Sequence, residues 1–174
     1  MSKIEDHRIG QIPAMDRDLV IRFRDEAAYL NFLGGLRPSM GVGVADDRVP
    51  LLSNLTALEN ILLPLMYHHN VSLTEAETRI GPAIEKLEAA SFLDSRKEDL
   101  AREEVLASYL LRCVAADCAA VCMPSPALRD MRRMRALRRK LGTKPKVWII
   151  CTKEEGNRYE ETGFETISFP EQNP

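Results

Sequence analysis

Three short apolar runs separated by helical stretches constrain the fold of this chain more than any other feature. Residues 19–23, 119–123 and 147–151 are almost wholly apolar. Each run has the length of a buried strand, and the segments between them carry apolar residues at helical spacing. Because strands and helices alternate in both halves of the chain, with a helical block between them, the sequence predicts an α/β sheet core with a helical insertion.

Local signals supply the remaining elements. Residues 42–45 are predicted as a weak strand, and the alternating residues 164–169 as a last strand at a sheet edge. Thr56 and Glu59 have the spacing of a capping box, which opens a helix. A second helix follows, and we expect Gly81-Pro82 to bend or divide it. The other predicted helices cover residues 26–33, 99–116 and 127–141.

The composition places the chain among ordinary folded domains. It has 174 residues, 45% of them apolar and 29% charged, which predicts a single domain with a substantial core. Lys plus Arg number 24 against 26 Asp plus Glu, so we expect no nucleic-acid partner. The longest apolar runs are far shorter than the ~20 residues that span a bilayer. Residues 1–17 are predicted to form a loose tail, and the protein is expected to be cytoplasmic.

The familiar catalytic and metal motifs are absent from the sequence. It contains neither GxxxxGK[ST] nor GxGxxG, and Ser125 lacks the GxSxG context of a hydrolase nucleophile. The four Cys residues form no CxxC pair, which argues against a zinc site or a disulfide framework. The sequence therefore predicts buried thiols and no metal site.

A basic segment stands out in the second half of the chain. Nine Lys or Arg residues lie between Arg129 and Lys146, with Asp130 as the only acid. The leading interpretation is a solvated amphipathic helix whose charges offset the acidic residues 75–104. An anionic lipid surface or an acidic protein partner is the alternative. The cations that share one face of this helix are Arg132, Arg135 and Arg139.

Residues 51–65 read LLSNLTALENILLPL. This segment resembles the nucleotide-binding subunit of ABC transporters, in particular the type that serves lipoprotein release, macrolide efflux and phospholipid transport. In that family the pattern LLPNLTALENVxLPL follows the Q-loop and opens the helical subdomain, which would cover about residues 53–105 here. The resemblance extends over residues 19–169 and implies a single, shortened cassette with a P-loop-type sheet core.

The same resemblance implies that the phosphate-binding residues of the family have been replaced. Residues 30–36, LNFLGGL, are similar to the helix that follows a Walker A loop, which puts Glu26 at the phosphate-binding Lys and Ala27 at the adjacent Ser/Thr. Arg24-Asp25 replaces the loop glycines. Acidic residues at that helix start would satisfy the helix dipole and repel a triphosphate. Ala45 corresponds to the Q-loop Gln.

The downstream motifs of the family are replaced as well. Arg102 and Glu103 lie where the signature sequence LSGGQ would be. In the strand that resembles Walker B, Pro124 replaces the magnesium-binding Asp and Ser125 the catalytic Glu, and neither can hold magnesium or polarise water. Lys153 replaces the switch His. We therefore expect no ATP or Mg²⁺ cofactor and no ATPase activity.

The best-preserved segment is the one that receives a membrane partner in this family. The resemblance implies a groove for the coupling helix of a permease, and the expected lining is Arg48, Leu51, Leu52, Leu55 and Leu62. The lead hypothesis is an accessory or structural subunit that docks on a permease or on an active ATPase subunit, peripheral at the inner face of the cell membrane. Two alternatives stay open: a free-standing adaptor that binds a protein or an anionic membrane through the basic helix, and an ATP-binding subunit with atypical motifs.

Overall fold

The computed structural model of the chain describes residues 17–36, 41–142 and 144–169. Its strands are, in chain order, β1 (Leu19–Phe23), β2 (Val42–Val44), β3 (Ala120–Pro124), β4 (Lys146–Thr152) and β5 (Glu165–Phe169). Its helices are α1 (Glu26–Gly35), α2 (Ala57–His69), α3 (Leu73–Leu87), α4 (Arg102–Ala115), α5 (Leu128–Leu141) and the single turn α6 (Lys153–Gly156). Short 3₁₀ turns cover Ala89–Phe92, Lys97–Asp99 and Asn157–Thr162.

The strands form one parallel sheet in the order β2-β3-β4-β1-β5. The three apolar runs of the sequence become β1, β3 and β4, which stand next to one another inside the sheet. Strands of a parallel sheet that is covered on both faces are apolar throughout rather than alternating, which is why these three are recognisable from the sequence. The predicted α/β fold is confirmed, and so is the edge position of β5.

Helices cover both faces of the sheet, and each face has its own core. On one face Val121 and Ile149 pack with apolar side chains of α2, α3, α4 and α5. On the other face Trp148 and Ile150 pack with Phe32 of α1. Successive residues of one strand therefore enter different cores, as the pleat requires.

The helix starts follow local rules, with one difference from the sequence prediction. Thr56 Oγ1 accepts the Glu59 N–H at 3.2 Å and Glu59 Oε2 accepts the Thr56 N–H at 2.8 Å, which confirms the capping box of α2. Of the bend or division expected at Gly81-Pro82, the division does not occur, because α3 runs undivided through this pair. Pro82 is exposed, so water can bind the carbonyl that loses its N–H partner there.

Two longer segments were also predicted. The tail of residues 1–17 lies outside the described residues apart from Arg17, whose carbonyl accepts the Trp148 indole N–H at 3.1 Å. The helical block of residues 53–105 packs on α4 and α5 and belongs to the same hydrophobic core as β3 and β4. Among the described helices, none combines the length and the apolar character that a bilayer crossing requires.

Candidate functional site

Most of the predicted nucleotide-site positions gather at one edge of the sheet. They lie at or just beyond the carboxyl ends of the parallel strands, or in the first turn of α1. Ligands of open α/β sheets bind outside this edge. The positions that the structure brings together there are Asp25, Glu26, Ala27, Ala45, Pro124, Ser125 and Lys153.

The turn from β1 to α1 is short and acidic. β1 ends at Phe23 and α1 begins at Glu26, so only Arg24 and Asp25 connect them. Asp25 Oδ1 accepts the Ala28 N–H at 2.9 Å, and Arg24 Nε lies 3.0 Å from Asp25 Oδ2. The Ala28 N–H and then the Arg24 guanidinium lower the pKa of Asp25, which stays ionised. The expectation that an acidic residue satisfies this helix start is confirmed.

At the ends of β3 and β4, Ser125 binds a carboxylate that the sequence did not reveal as a partner. Ser125 has a φ of 40°, in the left-handed region that is uncommon outside Gly. Its Oγ donates to Glu155 Oε2 at 2.6 Å, and its N–H donates to the Ile150 carbonyl at 2.8 Å. Glu155 Oε2 also accepts the Thr152 N–H at 3.3 Å. The bond from Ser125 contributes most to lowering the pKa of Glu155.

The remaining positions at this edge are partly buried and partly exposed. The Ala45 N–H donates to a carbonyl of β3 at 2.8 Å and extends the pairing of β2 with β3. Pro124 is buried as the last residue of β3. Glu26, Ala27 and Lys153 are exposed. The side chains that a ligand at this edge would meet therefore come from the starts of α1 and α6.

Arg102 and Glu103 open α4, and both bind the basic helix α5. Arg102 Nη2 lies 2.7 Å from Asp130 Oδ2, and Arg102 Nε donates to the same oxygen at 3.0 Å. Glu103 forms an ion pair with Arg133. Arg102 and Glu103 thus join two helices of this chain by partly exposed ion pairs, which stabilise folded proteins only weakly.

Several other cations of α5 also bind within the chain. Arg135 Nη1 donates to the Thr162 carbonyl at 2.8 Å, and its guanidinium lies 4.8 Å from the centre of the Phe164 ring. Two of the ion pairs of α5 reach the acidic residues 75–104, as predicted. The ion pairs are Arg102–Asp130, Arg133–Glu103, Arg138–Asp18 and Lys140–Glu88.

A cavity of about 460 Å³ lies between α5 and the turn Asn157–Thr162. It brings together two of the three cations predicted to share a helix face, whereas Arg139 is exposed outside its lining. Carboxylates line the cavity beside the cations, so its charge is mixed and it offers no purely cationic surface for an anionic ligand. The charged residues of the lining are Arg132, Arg135, Arg158, Glu160 and Glu161.

Residues 46–55, called the 46–55 segment below, connect β2 to α2, and a buried Asn holds the middle of this segment. Asn60 of α2 is only 1% exposed. Its Oδ1 accepts the Leu52 N–H at 2.7 Å, and its Nδ2 donates to the Leu52 carbonyl at 3.0 Å and to the Thr56 carbonyl at 2.9 Å. One side chain thereby fixes both backbone polar groups of Leu52.

Helix α4 holds the first half of the 46–55 segment. Arg112 donates to the Val49 carbonyl at 2.7 Å and to the Pro50 carbonyl at 3.1 Å. Its guanidinium lies 4.9 Å from the centre of the Tyr109 ring, and the Tyr109 hydroxyl donates to the Asp46 carbonyl at 3.1 Å. The backbone of the segment is thus bound from two helices and has a defined shape.

The groove lining predicted for this region needs correction. Leu62 is fully buried in the main core, and Leu51 is buried against Tyr109, so neither lines a surface. Their burial follows from packing of α2 and the 46–55 segment on α4, which the sequence pattern does not reveal. Arg48 and Leu52 are exposed, and Leu55 is half-buried.

The exposed apolar side chains of the 46–55 segment are Val49, at 46% exposure, and Leu52, at 45%. Arg48 stands beside them and lies 5.7 Å from the centre of the Tyr29 ring. The segment therefore presents two apolar side chains and a cation on a fixed backbone. This is a different surface from the leucine-lined groove that the resemblance implied.

Three residues of these sites were missed by reasoning from the sequence. Asn60 stands among apolar residues of an amphipathic helix, and a polar residue at such a position signals a buried hydrogen-bonding role. Glu155 follows Thr152 at capping-box spacing directly after a buried strand, which is the signal for its helix-start contact. No pattern in the sequence distinguishes Arg112 from the other cations of the chain, because its partners are backbone carbonyls far away in sequence.

Comparisons by sequence and by structure give different results. No protein-family model matches the chain, and no curated protein matches it in sequence. Solved structures do match. A dimeric, post-hydrolysis state of the ATP-binding cassette MJ0796 bound to ADP and Pi has a TM-score of 0.58 and 16% identity, covering 79% of this chain and 75% of that one.

Two further solved structures agree with the first. A nucleotide-free ATP-binding cassette from an ABC transporter has a TM-score of 0.56 at 11% identity, covering 83% of this chain and 74% of its own. The ADP conformation of the cassette MJ1267 has a TM-score of 0.56 at 12% identity, covering 79% and 70%. At such identities the likeness concerns the fold and not the activity. The chain has the fold of an ATP-binding cassette.

Proposed function

We propose that this chain is an accessory subunit of an ABC transport system that binds no ATP and docks on a permease subunit through the 46–55 segment. The LTALEN stretch at residues 55–60 favours the type of system that serves lipoprotein release, macrolide efflux or phospholipid transport. Docking on a permease would bring the protein to the inner face of the cell membrane. An active ATPase subunit is the alternative partner.

The observation that carries the proposal is the shape of the 46–55 segment. Val49 and Leu52 are nearly half exposed, yet the backbone that carries them is bound by Asn60 and Arg112. A surface that is already ordered loses little conformational entropy when a partner helix binds it. Burying the two side chains under an amphipathic helix would contribute about 25 cal/mol per Å² of apolar area.

The acidic residues at the start of α1 support the proposal that the chain binds no nucleotide. A phosphate site at this edge needs free backbone N–H groups and positive charge. Here the ionised Asp25 carboxylate occupies the Ala28 N–H, and Glu26 adds a second negative charge to the same turn. The carboxylates of Asp25 and Glu26 would repel a triphosphate that approaches this helix, so its start does not serve as a phosphate-binding loop.

Titration of the purified chain with ATP and Mg²⁺ is therefore expected to give no heat of specific binding. Each charge-assisted contact to phosphate that is missing removes roughly 1.5–3 kcal/mol, and several are missing at once. The measurement is isothermal calorimetry, with an active ABC ATPase subunit as the positive control. A dissociation constant below ~100 µM, equivalent to about −5.5 kcal/mol, would contradict the proposal.

One observation favours the alternative of an ATP-binding subunit with atypical motifs. Glu155 puts an ionised carboxylate beside Ser125 at the edge where the family holds magnesium, although at a different position in the chain. If this carboxylate held Mg²⁺ with a nucleotide, the same titration would show binding that Glu155→Gln removes. The titration thus separates the two functions.

The adaptor alternative finds less support. It requires the cations of α5 to be free for an outside partner, whereas Arg133, Arg135, Arg138 and Lys140 bind other parts of this chain. Arg132 and Arg139 remain exposed and are the residues through which such an adaptor would act.

Purification of the full-length chain from native membranes in mild detergent tests the docking proposal directly. We expect a polytopic membrane subunit of an ABC system to remain bound, identified by mass spectrometry and enriched over a purification of an unrelated tagged cytosolic protein. Recovery of an ABC ATPase subunit without the membrane subunit would assign the alternative partner. Recovery of the chain alone, or with proteins unrelated to transport, would contradict the proposal.

A further inference from the structure

Cys113 and Cys118 lie at the C-terminal end of helix α4. The turn that ends this helix brings the side chains at these two positions together. The Cys118 N–H donates to the Cys113 carbonyl at 2.9 Å, and the Asp117 N–H donates to the Val114 carbonyl at 3.0 Å. Asp117 has a φ of 50°, in the left-handed region. These features define a Schellman motif, in which the residues at the positions of Cys113 and Cys118 contact each other.

The backbone of this motif sets the spacing of the two residues. Because the Cys118 N–H contacts the Cys113 carbonyl, the two Cα atoms lie within about 6 Å of each other, inside the range of Cα separations that disulfides span. Cysteine at both positions of one helix end is not needed for the motif, since any pair of apolar side chains makes the same contact.

Gly43 of β2 shows that the two sulfurs lie side by side. A Cβ built on Gly43 would lie 2.2 Å from Cys113 Sγ and 3.4 Å from Cys118 Sγ. Both sulfurs therefore face the same point of the β2 backbone, and a larger residue at position 43 would displace them. The absence of a side chain there leaves the space that the sulfur pair occupies.

We propose that Cys113 and Cys118 are a redox-modification site, which a hydroperoxide converts to an intramolecular disulfide. The four cysteines are free thiols in the structure. The proposed oxidant is a hydroperoxide such as hydrogen peroxide, and the reductant that restores the pair is a small thiol or dithiol. This site is independent of the proposed docking function.

The two thiols have different roles in the reaction. Cys118 is 9% exposed, next to the exposed Asp117, whereas Cys113 is 3% exposed. The neighbouring Cys113 thiol, which can donate to a Cys118 thiolate, lowers the pKa of Cys118. The same contact, together with burial, raises the pKa of Cys113. Because Cys118 is the more exposed of the two, we assign it as the thiol that attacks the peroxide, and Cys113 as the thiol that resolves the product.

The chemistry balances in two steps. The Cys118 thiolate attacks one peroxide oxygen, an S–O bond forms, the O–O bond breaks, and the leaving hydroxide takes a proton to become water. Cys113, after losing its proton, attacks the resulting sulfenic sulfur; the S–S bond forms, the S–O bond breaks, and a second hydroxide leaves as water. Two thiols lose two electrons in all, and hydrogen peroxide gains them.

The other two cysteines are internal controls. Cys122 and Cys151 are buried in β3 and β4. Burial raises the pKa of Cys151 to about 11 and raises that of Cys122 further. Both stay protonated at neutral pH, and a protonated buried thiol is a poor nucleophile. We expect them to remain free while the Cys113–Cys118 pair is oxidised.

The test uses the folded wild-type chain treated with hydrogen peroxide, denatured, alkylated and cleaved before Asp residues. Cleavage before Asp117 separates Cys113 from Cys118 in the chain, so only a disulfide can keep the two fragments together. We expect a linked pair of fragments that reduction releases, and a fall in alkylated thiols from four to two. The same treatment should leave the Cys122→Ala variant linked and the Cys118→Ala variant unlinked.

Two outcomes would overturn the assignment. One is an unlinked wild-type chain under peroxide treatment that already converts Met66, which is 38% exposed, to its sulfoxide. The other is a link that survives in Cys118→Ala, because the bond would then involve Cys122. The wild-type measurement needs no variant to fold, so the proposal stays falsifiable even if a substitution destabilises the chain.

Discussion

Replacing Leu52 with Asp is expected to weaken association with the permease subunit by about a hundredfold, ~2.7 kcal/mol, and to leave the fold intact. The carboxylate would be desolvated against an apolar partner helix, and that costs more than the lost contact alone. The fold should tolerate the change because the Leu52 side chain is exposed, while its backbone N–H and carbonyl keep their bonds to Asn60. The measurement is copurification from membranes, quantified against the wild-type chain.

The chain offers a closely matched control for this experiment. Leu73 is 45% exposed, the same as Leu52. It is the first residue of α3, whereas the 46–55 segment precedes α2. α2 is 13 residues long, about 20 Å along its axis; Leu52 binds Asn60 near its start, and Leu73 follows its end. Leu73→Asp should therefore leave association unchanged, and an Asp in the first turn of a helix is well tolerated.

Substitutions in the basic helix α5 test the adaptor alternative in the same experiment. Arg132→Glu with Arg139→Glu changes two exposed cations of α5 and should leave permease association unchanged. The adaptor alternative requires the reverse pattern. Equal retention of the partner by Leu52→Asp and by wild type would contradict docking through the 46–55 segment.

Replacing Asn60 with Ala is expected to lower the free energy of unfolding by about 2–4 kcal/mol. The substitution leaves the partly buried N–H and carbonyl of Leu52 and the carbonyl of Thr56 without the partner that the amide supplies. Urea unfolding followed by circular dichroism measures the change. Hydrogen exchange at the Leu52 amide should accelerate at the same time, because the 46–55 segment loses its attachment to α2.

Asn31→Ala is the control for this substitution. Asn31 is exposed on helix α1, so the same chemical change there should alter stability by no more than about 0.5 kcal/mol. If the two variants unfold at the same urea concentration, the hydrogen bonds of Asn60 do not hold the segment as described.

The sequence was informative wherever a residue interacts with near neighbours or must be buried on all sides. The runs that become β1, β3 and β4 are apolar throughout because central strands of a covered parallel sheet have no solvent face. Thr56 and Glu59 satisfy each other's backbone within one helical turn, so their spacing is sufficient to place the start of α2. Asp25 likewise accepts a backbone N–H within the first turn of α1, so its place in the sequence is sufficient to mark that helix start.

The sequence was misleading where the outcome depends on which side of a helix or loop meets another element. Leu51 and Leu62 belong to the same leucine-rich stretch as Leu52, and the resemblance assigns all three to one groove. Packing on α4 buries the first two and leaves Leu52 exposed. Gly81-Pro82 likewise fails to divide α3 because Pro82 lies on its exposed side.

The sequence by itself therefore determined the succession of strands and helices along the chain and the starts of α1 and α2. All of these depend on local hydrogen bonding or on complete burial, which a linear pattern records. Only the tertiary structure decided that Asn60 and Arg112 hold the 46–55 segment, that Glu155 reaches Ser125, and that Gly43 makes room for two sulfurs. Arg112, Glu155 and Gly43 reach parts of the chain that are distant in sequence, and Asn60 reaches back over the turn that opens α2. Spacing along the sequence does not encode such contacts.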